Sequence, residues 1–196
     1  MERTKIYAFS LSLLPLMTSA GMMYSVLPIY LTELGAGKMA IGLLFTSGAA
    51  AGAASSIFFG KLADKFGRRP LILIAQVSFA VVMLLYSTIV HYIQALPLHI
   101  LEGFGWAMLG VASPALITDI ARRKGEALGV YNMAWNLGWV IGPAFGGCLS
   151  EFFGFRVMLR VAFLMISFGA FATLYIFRDF EDFGESTNKH PSKKVS

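Results

Sequence analysis

Cysteine occurs once in the 196 residues, at Cys148, so no intrachain disulfide forms and a disulfide-stapled module is excluded. Charge is equally scarce: 14% of the residues are Asp, Glu, Lys or Arg, where a soluble domain carries about 25%. Disorder and coiled-coil or collagen rods are excluded too, because 57% of the chain is hydrophobic. Only three histidines are present, His91, His99 and His190, and none falls in 127–177. A serine nucleophile in those helices therefore has no histidine on them to activate it. There is no G-x-x-x-x-G-K-[ST] loop, so direct coupling to ATP is not indicated, and the reading is not that of an enzyme. No cofactor is implied. The net charge of +5 resides in short clusters between apolar runs, not along one face or arm, which argues against nucleic acid and for a membrane topology signal.

Six stretches are apolar over the roughly 20 residues that a helix needs to cross a bilayer: 6–31, 39–59, 71–90, 96–118, 127–149 and 157–177. The expected fold class is thus an all-α integral membrane protein whose solvent is lipid. The first stretch is too long for a signal peptide, whose apolar core runs about 7 to 15 residues, and is expected to stay in the mature protein. The basic residues Arg3 and Lys5, Lys61, Lys65, Arg68 and Arg69, Arg122, Arg123 and Lys124, and Arg178, Lys189, Lys193 and Lys194 all fall on one side of such a path. Only Lys38, Arg156 and Arg160 fall on the other. The positive-inside rule then places both termini in the cytoplasm of a multi-pass cell-membrane (plasma or inner membrane) protein. Residues 1–178 read as one transmembrane bundle and 179–196 as a solvated, mobile cytoplasmic tail without apolar periodicity.

The chain also repeats itself. Shifted by 87 positions, 60–69 (GKLADKFGRR) aligns with 147–156 (GCLSEFFGFR), with five of ten positions identical. The repeats cover about 6–90 and 96–177, three helices each, and an odd number of crossings turns the second copy upside down. Two inverted three-helix repeats are an architecture of secondary transporters. Chance recurrence of Gly, Leu and Arg at helix ends is the plain alternative.

In the first copy's loop, Gly60 and Gly67 are expected to let the backbone reverse tightly. Asp64 is expected to face a helix N-terminus or to pair with Arg68 or Arg69 as a latch. An ordinary positive-inside loop would explain the basic residues but neither the glycine pair nor the aspartate. Gly60, Leu62, Ala63, Asp64, Lys65, Gly67, Arg68, Arg69 and Ile72 resemble the helix 2–3 signature of the major facilitator superfamily, G-x-L-a-D-r-x-G-r-k-x-x-l. Gly138, Gly142, Pro143, Gly146 and Gly147 match a second signature, g-x-x-x-G-P-x-x-G-G, in the form seen in its drug/proton antiporter branch. Physically, the four-residue glycine spacing admits a neighbouring helix, and Pro143 removes a backbone donor and invites a bend.

The resemblance implies a proton-driven exporter of small molecules, without cofactor, embedded in membrane lipid. It also implies twelve helices in two bundles, with the substrate held between them. This chain supplies one six-helix bundle, half of that fold. The loop after helix 2 and the glycine face of helix 5 would then point at a second six-helix partner. That partner is a separate chain or a second copy, and the other reading is a truncated or split-gene subunit with no transport of its own.

Where the family commonly shows R-x-x-q-G in helix 4, this chain reads His99-Ile-Leu-Glu102-Gly103. His99, Glu102 and Trp106 share a helix face, and Glu102 with His99 is the candidate proton-coupling pair, since a carboxylate within a span is costly and functional by default. The alternative is that both lie hydrated at the outer interface. They supply at most two metal ligands, where a catalytic zinc takes three from protein. Asn132 and Asn136 share a face of helix 5, and Tyr24 belongs to a stripe with Met17, Gly21 and Ser25 on helix 1. Both are candidate cavity linings, with interhelical hydrogen bonding and plain packing as the alternatives.

Overall fold

Backbone polar groups buried in hydrocarbon are satisfied within a single segment only by a helix, and every long apolar run of this chain becomes one. The computed structural model describes the backbone of residues 2–188 and the side chains of residues 3–178. Six long helices follow one another: α1 (Glu2–Glu33), α2 (Lys38–Phe66), α3 (Arg68–Tyr86), α4 (Ala95–Ile120), α5 (Lys124–Phe153) and α6 (Phe155–Asn188), with a short 3-10 turn at Tyr92–Gln94 before α4. No strand occurs among the described residues.

Five of the six helices are long and apolar enough to cross a membrane by length and composition; α5 is the exception. Its 30 residues give it the length. Asn132, Asn136 and its glycines lower its hydropathy below that of the other five, so length and composition mark five of the six expected spans. The tail expected from residue 179 differs as well: α6 continues as helix to Asn188, no proline intervening before Pro191, and 189–196 lie outside the described residues.

Two glycines make the sharp turns. Gly67 (φ 93°, ψ 159°) separates α2 from α3, and Gly154 (φ 80°, ψ 159°) separates α5 from α6. Each donates its N–H at 3.0 Å to the carbonyl four residues earlier, of Ala63 and Ser150. Positive φ is steep for any residue with a Cβ, which is why glycine stands at both positions. Gly60, expected to share this role, instead lies inside α2 as an ordinary helical residue.

α1 packs mainly on α5 and α6, α4 mainly on α2 and α3, and α3 meets α6. Small residues set the closest approaches. A Cβ on Gly138 would stand 2.5 Å from Met17 Cβ, one on Gly142 2.5 Å from the Thr18 carbonyl oxygen, and one on Gly146 2.5 Å from Met22 Cα. These pairs advance together, so α1 and α5 run parallel. α2 and α4 are also parallel, Gly48 meeting His99 and Gly52 meeting Gly103. α6 runs antiparallel to α1, with Phe9 stacked on Phe177 and Tyr30 on Phe155 at the other end. The glycine face of α5 is therefore buried against α1, not presented to an absent partner as the signature implied. Only Gly147 of the motif is open.

Consequently Arg3, Arg68, Arg69, Arg122, Arg123 and Arg178 gather at one end of the bundle, referred to as the basic end. At the opposite end Arg156 Nη2 donates to the Ile89 carbonyl at 3.1 Å, and the Tyr30 hydroxyl donates to the same carbonyl at 3.3 Å. Midway, Gln76 on α3 donates to the Thr173 hydroxyl of α6 at 3.0 Å, and that hydroxyl lies 2.8 Å from Ser12 of α1. Gln76, near the centre of α3, thus joins three helices through these two hydroxyls.

Candidate functional site

Glu102 enters the bundle interior because it sits two turns into α4 on the face that also carries His99 and Trp106. It is 1% exposed and His99 is 3% exposed, which removes the alternative of two hydrated groups at an outer interface. Oε2 of Glu102 stands 3.4 Å from His99 Nδ1, and that nitrogen is 2.8 Å from the hydroxyl of Tyr86 on α3. Neither carboxylate oxygen has a hydrogen-bond partner among the described residues. Trp106 Nε1 donates to the Tyr24 hydroxyl at 3.0 Å, leaving that hydroxyl's own proton free to turn toward a base. Burying an unsatisfied carboxylate costs several kcal/mol, by order of magnitude, so the position is not one that packing alone would select.

Next to this group, between α1, α2 and α4, a groove of about 420 Å³ is lined by Tyr24, Phe45, Gly48, Ser56, His99, Gly103 and Trp106. Its floor is possible because Gly48 and Gly52 let α2 approach Gly103 of α4 backbone to backbone. Its walls are aromatic. The rings of Phe45 and His99 lie 5.0 Å apart and those of Tyr24 and Trp106 6.4 Å, and outside the lining Trp139 adjoins Tyr24 at 5.6 Å and Trp135 adjoins Trp106 at 5.7 Å. Such a pocket offers flat apolar faces with a few polar points, the usual make-up of a small-molecule site.

The structure divides the sequence-derived candidates. Tyr24, Trp106, His99 and Glu102 come together. Asn132 and Asn136 do not: both are exposed, and the amide of Asn136 donates to the Asn132 carbonyl at 2.7 Å. Beside them it is Tyr131, Trp135 and Trp139 that turn toward the ring cluster. Their four-residue spacing is visible in the sequence. Tyr86, fully buried, left no comparable signal, since nothing in its neighbourhood along the chain marks it as a partner of His99. In the stripe on helix 1, Met17 and Gly21 face α5, whereas Ser25 is exposed and bonds back to the Met22 carbonyl.

At the basic end, Asp64 on the last turn of α2 does not cap a helix N-terminus. Its Oδ1 pairs with Arg68 Nη1 at 2.7 Å, the same Nη1 donates to the Ala63 carbonyl at 3.0 Å, and Arg68 Nε stands 3.3 Å from Asp119 at the end of α4. Arg68 thereby ties α2, α3 and α4 at one point. Arg69 faces away from this pair, its guanidinium 5.8 Å over the Phe177 ring.

Comparison with known proteins decides the family. Residues 9–195 match the Major Facilitator Superfamily, nearly the whole chain. The chain belongs to the major facilitator superfamily. It is 30% identical over 185 residues to an uncharacterised MFS-type transporter of Methanocaldococcus jannaschii, an alignment covering 92% of this chain and 47% of that protein. It is 30% identical over 159 residues to the multidrug resistance protein MdtG of Salmonella arizonae (78% and 39%). It is 27% identical over 149 residues to the quinolone resistance protein NorA of Staphylococcus aureus (75% and 38%). The chain spans less than half the length of these curated relatives. Members of the superfamily are membrane transporters, not enzymes, and this chain is a multi-pass membrane member of it.

Proposed function

We propose that this major facilitator bundle forms half of a proton-driven exporter of small, amphipathic molecules, completed by a second six-helix bundle. The observation that carries the reading is Glu102: a buried carboxylate 3.4 Å from His99, with no well-formed hydrogen bond to its oxygens among the described residues, beside an aromatic groove. A proton on Glu102 changes the charge behind the groove, and with it the balance between packings of α1, α2 and α4 that the glycine contacts leave close in energy. Tyr24, Phe45 and Trp106 hold the substrate's apolar face. Export and the substrate class lean on the drug-resistance relatives, which share this half with the chain.

The bundle is read as two inverted triplets with α1 related to α4, α2 to α5 and α3 to α6. In support, that exchange maps the main packing pairs onto themselves: α1 on α5 becomes α4 on α2, and α1 on α6 becomes α4 on α3. Both related pairs are parallel and glycine-packed, and Gly67 and Gly154 turn with nearly equal angles. α5 lies parallel along α1, so it crosses wherever α1 crosses. The charge bias then puts the basic end, with both termini, in the cytoplasm. The loop of Asp64, Gly67, Arg68 and Arg69 is the gating element there.

Glu102→Gln preserves shape and removes the titrating proton. In the complete assembly, efflux driven by a pH gradient is expected to fall to the background rate, while binding and downhill exchange of the same substrate persist. Gradient-driven accumulation at the unaltered rate would place coupling outside this bundle.

A further inference from the structure

His99 stands between two buried groups and the aromatic groove. Tyr86 and Glu102 are at most 1% exposed and neither lines the groove, whereas His99 does. The orientation of its ring is fixed from two sides. Nδ1 lies 2.8 Å from the Tyr86 hydroxyl of α3 and 3.4 Å from Glu102 Oε2. The opposite edge turns to α2, since a Cβ on Gly48 would stand 2.7 Å from His99 Cδ2. Nε2 lies on that edge, without a hydrogen bond among the described residues. Two other polar groups of the lining are engaged: the Ser56 hydroxyl donates to the Gly52 carbonyl at 2.7 Å, and Trp106 donates to Tyr24. The titratable groups that face His99 are Tyr24 from α1, Tyr86 from α3 and Glu102 from its own helix. From α2 come Phe45 and Gly48, which do not titrate.

A neutral imidazole carries one proton, and the nitrogen that holds it is set by the bond the other nitrogen makes. The Tyr86 hydroxyl has one partner among the described residues, Nδ1, so its proton finds an acceptor only where Nδ1 is bare and Nε2 carries the ring's proton. That arrangement suits a protonated Glu102, which leaves Nδ1 to Tyr86. An ionised Glu102 instead demands a donor, because a buried carboxylate without one is costly, and Nδ1 stands within reach of it. We propose that His99 is the relay between the groove and Glu102. A proton arriving from the groove forms the Nε2–H bond, the Nδ1–H bond breaks, and the proton it releases forms the O–H bond of Glu102. The carboxylate charge is cancelled, the ring is neutral before and after, and Tyr86 donates to the vacated Nδ1. Nε2 thereby faces the groove as an acceptor while Glu102 is ionised and as a donor once it is protonated. The ligand this fits is a flat, apolar molecule bearing an N–H or O–H donor, which bonds Nε2 in the first state and is replaced there by the incoming proton in the second. The inference rests on Glu102 as the proton-binding site proposed above and on the groove as the ligand's place.

The test is nitrogen NMR of the full chain in detergent, made with isotope-labelled histidine and carrying His91→Asn and His190→Gln so that His99 alone reports. Asparagine keeps an acceptor for the Ile93 N–H that His91 caps. If that variant loses its helical circular dichroism, the unaltered chain is used and His99 is the signal missing from His99→Gln. Raising the pH is expected to move the ring's proton from Nε2 to Nδ1 in one step, and Glu102→Gln to hold it on Nε2 throughout. Tyr86→Phe keeps the ring and removes the donor, so the crossover is expected at about fivefold higher proton concentration, the worth of one hydrogen bond. A packing role alone would not move it. Indole added at high pH is expected to shift the Nε2 signal, and N-methylindole, equally flat but without the N–H, to leave it in place. One tautomer at every pH, a crossover that survives Glu102→Gln or is unmoved by Tyr86→Phe, or equal responses to the two indoles would each overturn the proposal. Gradient-driven efflux that persists in Glu102→Gln while the tautomer of the unaltered ring still crosses over would instead remove the coupling role and leave the relay standing.

Discussion

Arg68 holds Asp64, the Ala63 carbonyl and Asp119 at once, and its side chain is 25% exposed where that of Asp64 is 73% exposed. The two ends of the ion pair therefore contribute unequally. Removing the exposed partner as Asp64→Asn is expected to cost less than about 1 kcal/mol, because water and salt screen such pairs. Arg68→Gln removes the ties to Asp64, Asp119 and the Ala63 carbonyl together and is expected to cost about 1–2 kcal/mol. Thermal unfolding of the two variants in detergent gives the order. If the loop gates transport, Asp64→Asn also slows flux through the complete assembly at normal expression, and unchanged flux would remove that role. The Asp64–Arg68 pair was legible in sequence from its four-residue spacing. Asp119 was not, since it reaches Arg68 only through the packing of α4 on α2 and α3.

A glycine spacing of four residues announced that α5 admits a close neighbour, and the contact with α1 shows which glycines carry it. A methyl on Gly142 would lie 2.5 Å from a backbone oxygen of Thr18 and 2.7 Å from Gly21 Cα, with no flexible side chain to yield. Gly142→Ala is expected to destabilise the bundle by about 1–3 kcal/mol, as overpacking does. Gly147→Ala meets open space and should be neutral or stabilising by up to about 1 kcal/mol, through helix propensity alone. Equal losses at both positions in a thermal-shift measurement would contradict the α1–α5 contact. The same contact sets the way α5 faces. Asn132 and Asn136 are conspicuous as amides in an apolar helix, but the glycines fix the helix's rotation, and at that rotation the aromatic row points inward and the amides outward.

Over the whole molecule, the proposed topology puts Lys38 and Lys65 on opposite sides of the membrane. With the exposed Cys148 replaced by Ser, an impermeant thiol reagent added to intact cells is expected to label Lys38→Cys and to spare Lys65→Cys. Labelling of Lys65→Cys from outside would invert or break the model of two inverted triplets. The helical spans, the clustering of basic residues on alternate loops, the family signatures and the suspicion attached to Glu102 were all readable in one dimension, because each depends on composition or on spacing within one segment. The turn at Gly67 but not Gly60, the burial of the α5 glycines against α1 and the bond from Tyr86 to His99 depend on how helices are rotated and which ones meet. Those choices follow from contacts between residues far apart in the chain, where small residues permit backbone approach and large rings fill what remains, and local patterning carries no record of them.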